Sequence, residues 1–135
     1  MIKTGIIEGA GFTGGELIRL LLNHPDVLLV FITGRGNSGQ YIHEVHRGLY
    51  GETELQFAEE PELDKIDLLF LCTDMEESRQ FMETHEIPEK LKIIDFSRAF
   101  RLKDEGNDFI YGLPELNRRA ICSSRYVANP GNFAT

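Results

Sequence analysis

The sequence predicts an α/β domain with a doubly wound, mostly parallel sheet. Three observations carry this. Short apolar, β-branched runs recur along the chain, and most are followed by a stretch with helical spacing of apolar residues. Several of these runs are apolar at every position, as strands covered on both faces are. The first strand-to-helix junction is a glycine cluster, "GIIEGAGFTGGE".

The elements follow in order. Lys3–Ile7 is a short β-branched run. "FTGGELIRLLLNH" places Leu17, Leu20 and Leu21 at helical spacing, and Pro25 marks its stop. Val27–Thr33 reads as a second buried strand. The segment 34–51 holds five of the 13 glycines and reads as a long loop with one short helix near His43. Leu55–Phe57 is a minor strand and "EEPELDK" a polar connection. Asp67–Cys72 is a third strong strand, followed by the amphipathic "MEESRQFMETHEI", and Leu91–Asp95 is a fourth. "FIYGLPELNRRAI" reads as a loop leading into a helix near Glu115, and "RYVANPG" as a last strand ending at a turn.

Composition sets limits on function. A chain of 135 residues with 41% hydrophobic and 27% charged residues suits one globular domain. The net charge of −8 disfavours nucleic acids and anionic membranes as partners. The apolar runs are too short to span a bilayer, and "MIKTGII" enters a strand with no room for a signal peptide, so the expected location is cytoplasmic. Cys72 and Cys122 make no disulfide framework, and Cys72 is expected to pack as a small hydrophobe. His43 and His46 are three apart without further ligands, which reads as a surface helix or loop rather than a metal site. Phe70, Phe81, Phe96 and Phe100 are expected in the core.

The chemistry is concentrated in Gly9-Ala10-Gly11-Phe12-Thr13-Gly14, a G-x-G-x-x-G between a strand and a helix. In the Rossmann-type fold such glycines let the backbone approach a dinucleotide's pyrophosphate, and the helix start supplies free N–H groups and a positive dipole end. Gly9, Gly11, Phe12, Thr13 and Gly14 are therefore the candidate cofactor-binding residues; the competing reading is a turn that needs glycine for its own geometry. NAD-binding versions carry an acid near the tip of the second strand, but Thr33-Gly34-Arg35 has none. Arg35 either pairs with the extra phosphate of NADP or is a solvated loop arginine. Glu8 brings a negative charge to the entrance of the turn, and its direction decides whether it repels the pyrophosphate.

The stretches "GAGFTGGELIRLLLNHP", "VHRGLYG", "IIDFSRAFRL", "FIYGLPELNRRAI" and "VANPGNFAT" resemble N-acetyl-gamma-glutamyl-phosphate reductase. Aspartate-semialdehyde dehydrogenase, a more distant relative, fits them less well. The resemblance implies an NADPH-dependent reduction of an acyl phosphate to a semialdehyde in arginine biosynthesis. It also implies a cysteine thiolate as nucleophile after "NPG" and a histidine acid and base in a second domain. The nucleophile's position holds Asn132, which has no thiolate to offer. Glu8, Gly34, the Met75-Glu76 pair and Ala99 also depart from the family's usual glycine, serine, histidine-glycine and acid. Gly11, Gly14, Tyr111, Gly112, Pro114, Glu115 and Pro130 are kept. The expectation is a single NADP-binding domain, inactive alone, without the second domain and with an incompletely covered last strand that favours self-association. A non-catalytic dinucleotide-binding remnant or a redesigned scaffold is the alternative.

Overall fold

The structure is a computed structural model that describes residues 1–101 and 108–131. Asn132 lies outside the described residues. The elements are β1 (Ile2–Ile7), α1 (Phe12–Leu22), β2 (Val27–Ile32), α2 (Ile42–Val45), β3 (Leu68–Leu71), α3 (Met75–Thr84), β4 (Lys92–Asp95), β5 (Ile110–Tyr111), α4 (Pro114–Ser123) and β6 (Tyr126–Ala128), with 3-10 turns at Arg47–Leu49 and Leu63–Lys65. Six strands form one sheet in the order β2-β1-β3-β4-β6-β5, and every strand pair is parallel. The doubly wound architecture expected from the sequence is present.

Burial on both faces explains the uniformly apolar strands. On one face Leu17, Ile18 and Leu21 of α1 pack with Ile6, Ile32 and Phe70. On the other, Phe81 of α3 packs with Ile7, Phe31, Leu69, Leu71 and Ile93. Alternate residues of the central strands thus feed opposite layers, which leaves little solvent-facing side to be polar. Asp74 caps α3, accepting from Glu77 N at 2.8 Å while the Glu77 carboxylate accepts from Asp74 N at 3.3 Å. Pro114 opens α4, where its missing N–H costs nothing.

Several expectations need correction. Leu20 faces solvent, 57% exposed, and Ile18 takes its place in the α1 stripe. Leu55–Phe57 forms no strand; it contributes only the isolated bridge from Tyr41 to Gln56, with a second bridge from Thr33 to the following Ala58. β5 was hidden inside what the sequence presents as a loop, because two residues are too few to show a period. At the last strand, Tyr126 and Ala128 are buried, and the large exposed hydrophobics lie elsewhere, among them Phe12, Leu20, Leu28 and Tyr50. Among the described residues no helix is long and apolar enough to cross a membrane.

The chain passes from β1 to β2 on one side and then to β3 on the other. The strand order therefore reverses between β1 and β3, whose carboxyl ends are Ile7-Glu8 and Leu71-Cys72. Parallel sheets leave a crevice at such a point, with the connections splayed to either side.

Candidate functional site

The glycine turn sits at this crevice, and its glycines have different reasons to be there. A Cβ on Gly14 would lie 2.5 Å from Gly9 Cα and 2.6 Å from the Gly9 carbonyl carbon and oxygen. A Cβ on Gly9 would lie 2.3 Å from Ile32 Cγ2. These two glycines let α1 and β2 close onto the turn. Gly9 is further held by its N–H on Thr33 O at 2.8 Å and by its carbonyl against His46 Nε2 at 2.7 Å. The packing reading of Gly9 is therefore sufficient.

Gly11 differs. It has φ −78°, open to any residue, and no atom lies within 4 Å of where its Cβ would be. Nothing within the described chain requires glycine there. Gly11 is the N-cap of α1, no side chain caps the helix, and Phe12 and Thr13 after it are exposed. The first N–H groups of a helix have no intrahelical acceptors. The space over Gly11 is thus open, at the positive end of a helix dipole.

His46 was read with His43 as part of one helical face. The structure separates them: His43 lies within α2 and stacks on Tyr41 at 5.2 Å, whereas His46 follows the helix and reaches the Gly9 carbonyl. Among the described residues no group of histidine, cysteine or acid could hold a metal ion.

Glu8 adopts φ 63°, the left-handed region that favours glycine. Its N–H donates to Thr33 Oγ1 at 3.2 Å, and its carboxylate accepts from the Arg35 backbone N–H at 3.2 and 3.4 Å. The carboxylate is therefore directed to the tip of β2. The Arg35 guanidinium, 74% exposed, pairs with Glu77 of α3. Glu8 and Arg35 border a cavity of about 390 Å³ that Thr33, Glu59 and His85 also line. Gly34 also lines it: a Cβ there would lie 2.8 Å from Phe57 Cδ1, so the phenyl ring occupies the room a serine would need.

At the ends of β3 and β4, Asp95 is fully buried. Ser78 Oγ and Ser97 Oγ each donate to its carboxylate at 2.6 Å, Thr73 Oγ1 meets Ser78 Oγ at 2.5 Å, and Ser97 Oγ accepts from Ala99 N at 3.1 Å. Burial raises the Asp95 pKa, while the serine bonds and Arg101 oppose the rise. Half-buried Cys72 has its thiol pushed up to about 12, chiefly by burial and then by Asp95. A thiol so shifted is not ionised near neutral pH and is no substitute nucleophile. Cys122 is exposed on α4, remote in sequence from these strand ends.

Residues 3–124 match the model of the semialdehyde dehydrogenase NAD-binding domain. The chain belongs to this family. Over all 135 residues it is 62% identical to N-acetyl-gamma-glutamyl-phosphate reductase of Phocaeicola vulgatus and 60% identical to that of Bacteroides thetaiotaomicron, spanning 42% of the length of each. The resemblance read from the motifs is borne out. Among solved structures, aspartate semialdehyde dehydrogenase with NADP from Candida albicans superposes with a TM-score of 0.70 at 13% identity, over 96% of this chain and 42% of that one. The enzyme from Francisella tularensis gives 0.67 at 20% identity, over 98% and 37%. At such identities the likeness shows the fold.

Within this semialdehyde dehydrogenase domain, the departures noted in the sequence fall at strand ends. Glu8 follows β1, Gly34 lies just past β2, Met75 and Glu76 begin α3 beyond β3, and Ala99 follows β4. Asp95 yields a pH prediction. Its pKa is raised on folding, so its contribution to stability is fullest below the ordinary value of 3.8 and is lost as pH rises through the shifted value. The stability of the wild type relative to Asp95→Asn is therefore expected to fall as pH rises from about 4 toward neutrality. Urea unfolding of both proteins across that range measures it, and a difference independent of pH contradicts it.

Proposed function

We propose that this chain is the dinucleotide-holding part of an oxidoreductase acting on an acyl phosphate or its semialdehyde, and that it does not itself form the covalent acyl intermediate. The observation that carries the first half is Gly11: glycine stands where neither backbone angle nor neighbour calls for it, over uncapped helix N–H groups at the strand-order reversal. A phosphate approaching the backbone accounts for both facts. Gly11 would give it room, and the N–H groups of Phe12, Thr13 and Gly14 would bond the pyrophosphate. Gly9 and Gly14 would hold the turn in place, with His46 fixing the Gly9 carbonyl. A bound nicotinamide would supply the hydride.

The relatives' printed names, reductases of N-acetyl-gamma-glutamyl phosphate, support the substrate class. The second half of the proposal rests on Asn132, whose amide cannot attack an acyl carbon as a thiolate does, and on the neutral Cys72 thiol. The resemblance implies NADP(H), for whose extra phosphate Arg35 is the candidate cation; the charges around Arg35 favour the unphosphorylated form.

Gly11→Ala tests the reading. With open space for the methyl group, its stability is expected to stay within about 1 kcal/mol of the wild type, because loss of a glycine N-cap and gain in chain stiffness oppose each other. Its affinity for nicotinamide dinucleotides, read by calorimetry, is expected to fall about tenfold or more, roughly 1.4 kcal/mol. Unchanged affinity would remove Gly11 from the site. In the same preparation, acyl-phosphate-dependent oxidation of reduced dinucleotide is expected to be absent from the wild-type chain, and turnover would refute the non-catalytic half.

A further inference from the structure

We infer that Glu8 makes this site select the unphosphorylated dinucleotide, NAD(H), against NADP(H), a specificity that rests on the dinucleotide reading of the glycine turn. Dinucleotide sites that prefer NAD place a carboxylate near the tip of the second strand, where it bonds the adenosine ribose hydroxyls and repels a 2′-phosphate. The tip here, Thr33-Gly34-Arg35, contains no acid in sequence. In space it does. The left-handed backbone at Glu8 turns its side chain from the end of β1 across to the Arg35 N–H at 3.2 Å, at the mouth of the cavity between the β2 tip and α3.

Arg35, the one arginine or lysine in that cavity's described lining, already pairs with Glu77. Glu77 is itself anchored, because its carboxylate accepts from the Asp74 N–H in the helix cap. Glu59 adds a further carboxylate to the same lining. A 2′-phosphate carries about −1.5 to −2 charges near neutral pH. It would have to displace the Glu8 carboxylate from an N–H, compete with Glu77 for Arg35 and share the cavity with the Glu8 and Glu59 carboxylates. A ribose diol carries no charge and can donate both hydroxyl protons to Glu8, which accepts without being displaced.

Calorimetric titration of NAD+ and NADP+ against the wild-type chain, Glu8→Gln and Glu77→Gln tests this at low and moderate salt. The wild type is expected to bind NAD+ about tenfold or more tighter than NADP+. Glu8→Gln keeps the side-chain shape and removes the charge, and is expected to shrink that ratio about tenfold. Glu77→Gln, which frees Arg35, is expected to move the ratio the same way by a smaller factor. A wild type that binds NADP+ as well as or better than NAD+ overturns the inference, as does a ratio unmoved by Glu8→Gln; in both cases the dinucleotide reading stands. Absence of binding of either nucleotide to all three folded proteins overturns that reading, and the specificity falls with it. Circular dichroism of each variant establishes that it is folded before titration.

Discussion

Gly14→Ala is expected to lower stability by about 3 kcal/mol or more, enough to leave a domain of ordinary stability largely unfolded on warming. The added methyl carbon would sit 2.5 Å from Gly9 Cα and 2.6 Å from the Gly9 carbonyl carbon and oxygen. Those are backbone atoms, so no side-chain rotation relieves the overlap. Gly9 cannot retreat either. Its own α-carbon abuts Ile32, its N–H is bonded to Thr33 and its carbonyl to His46. Relief would require α1 to lift from the sheet, which uncovers Leu17, Ile18 and Leu21. Urea and thermal unfolding measure the effect. A loss under about 1 kcal/mol would show that the turn is softer than its contacts imply. The contrast with Gly11→Ala, three residues away and expected to be nearly silent in the same measurement, makes the pair informative.

Phe57→Ala carries the other large effect, a loss of about 3 to 5 kcal/mol. Phe57 is 2% exposed, although it belongs to a segment without regular structure. Its ring lies over Gly34 and joins the cluster of Ile6, Ile18, Ile32 and Phe70. Its backbone also holds the loop, donating to Gln40 O at 2.8 Å and accepting from Gly39 N at 2.9 Å. Removing the ring leaves a void against rigid strands that cannot collapse fully. The same contact makes Gly34→Ser destabilising in the wild type and much less so in Phe57→Ala. A double-mutant cycle by chemical denaturation should therefore show strong coupling, and additive losses would mean that the ring does not exclude a side chain at position 34.

The contrast between these positions shows what the sequence could reveal. Runs such as Val27–Ile32 and Leu68–Leu71 announce buried parallel strands because every residue is apolar. The glycine turn is legible for the same local reason: strand, glycines and helix follow one another directly. Phe57 gives no such signal, since its burial comes from strands far away in the chain. Likewise nothing near His46 indicates that it meets Gly9, 37 residues distant. The motif treated Gly9, Gly11 and Gly14 alike, whereas contacts across the turn explain Gly9 and Gly14 and leave Gly11 without a packing reason among the described residues. Glu8 was visible as an oddity. Its direction required the backbone angle, and the carboxylate missing from the β2 tip was found one strand over.

The position of β1 has a consequence for how the domain comes to be made. This strand is flanked by β2 on one side and β3 on the other, and the second flank is fastened by the Lys3 N–H to the Asp67 carboxylate, 64 residues along the chain. During synthesis β1, α1 and β2 can assemble early, because their contacts are close in sequence. The other edge of β1 must then wait, its N–H and C=O groups unpaired, until β3 has emerged. The first strand made thus keeps one edge open through the synthesis of the next two elements and the loop after them, and the interval before β3 arrives is when the growing chain most needs protection from a stray strand.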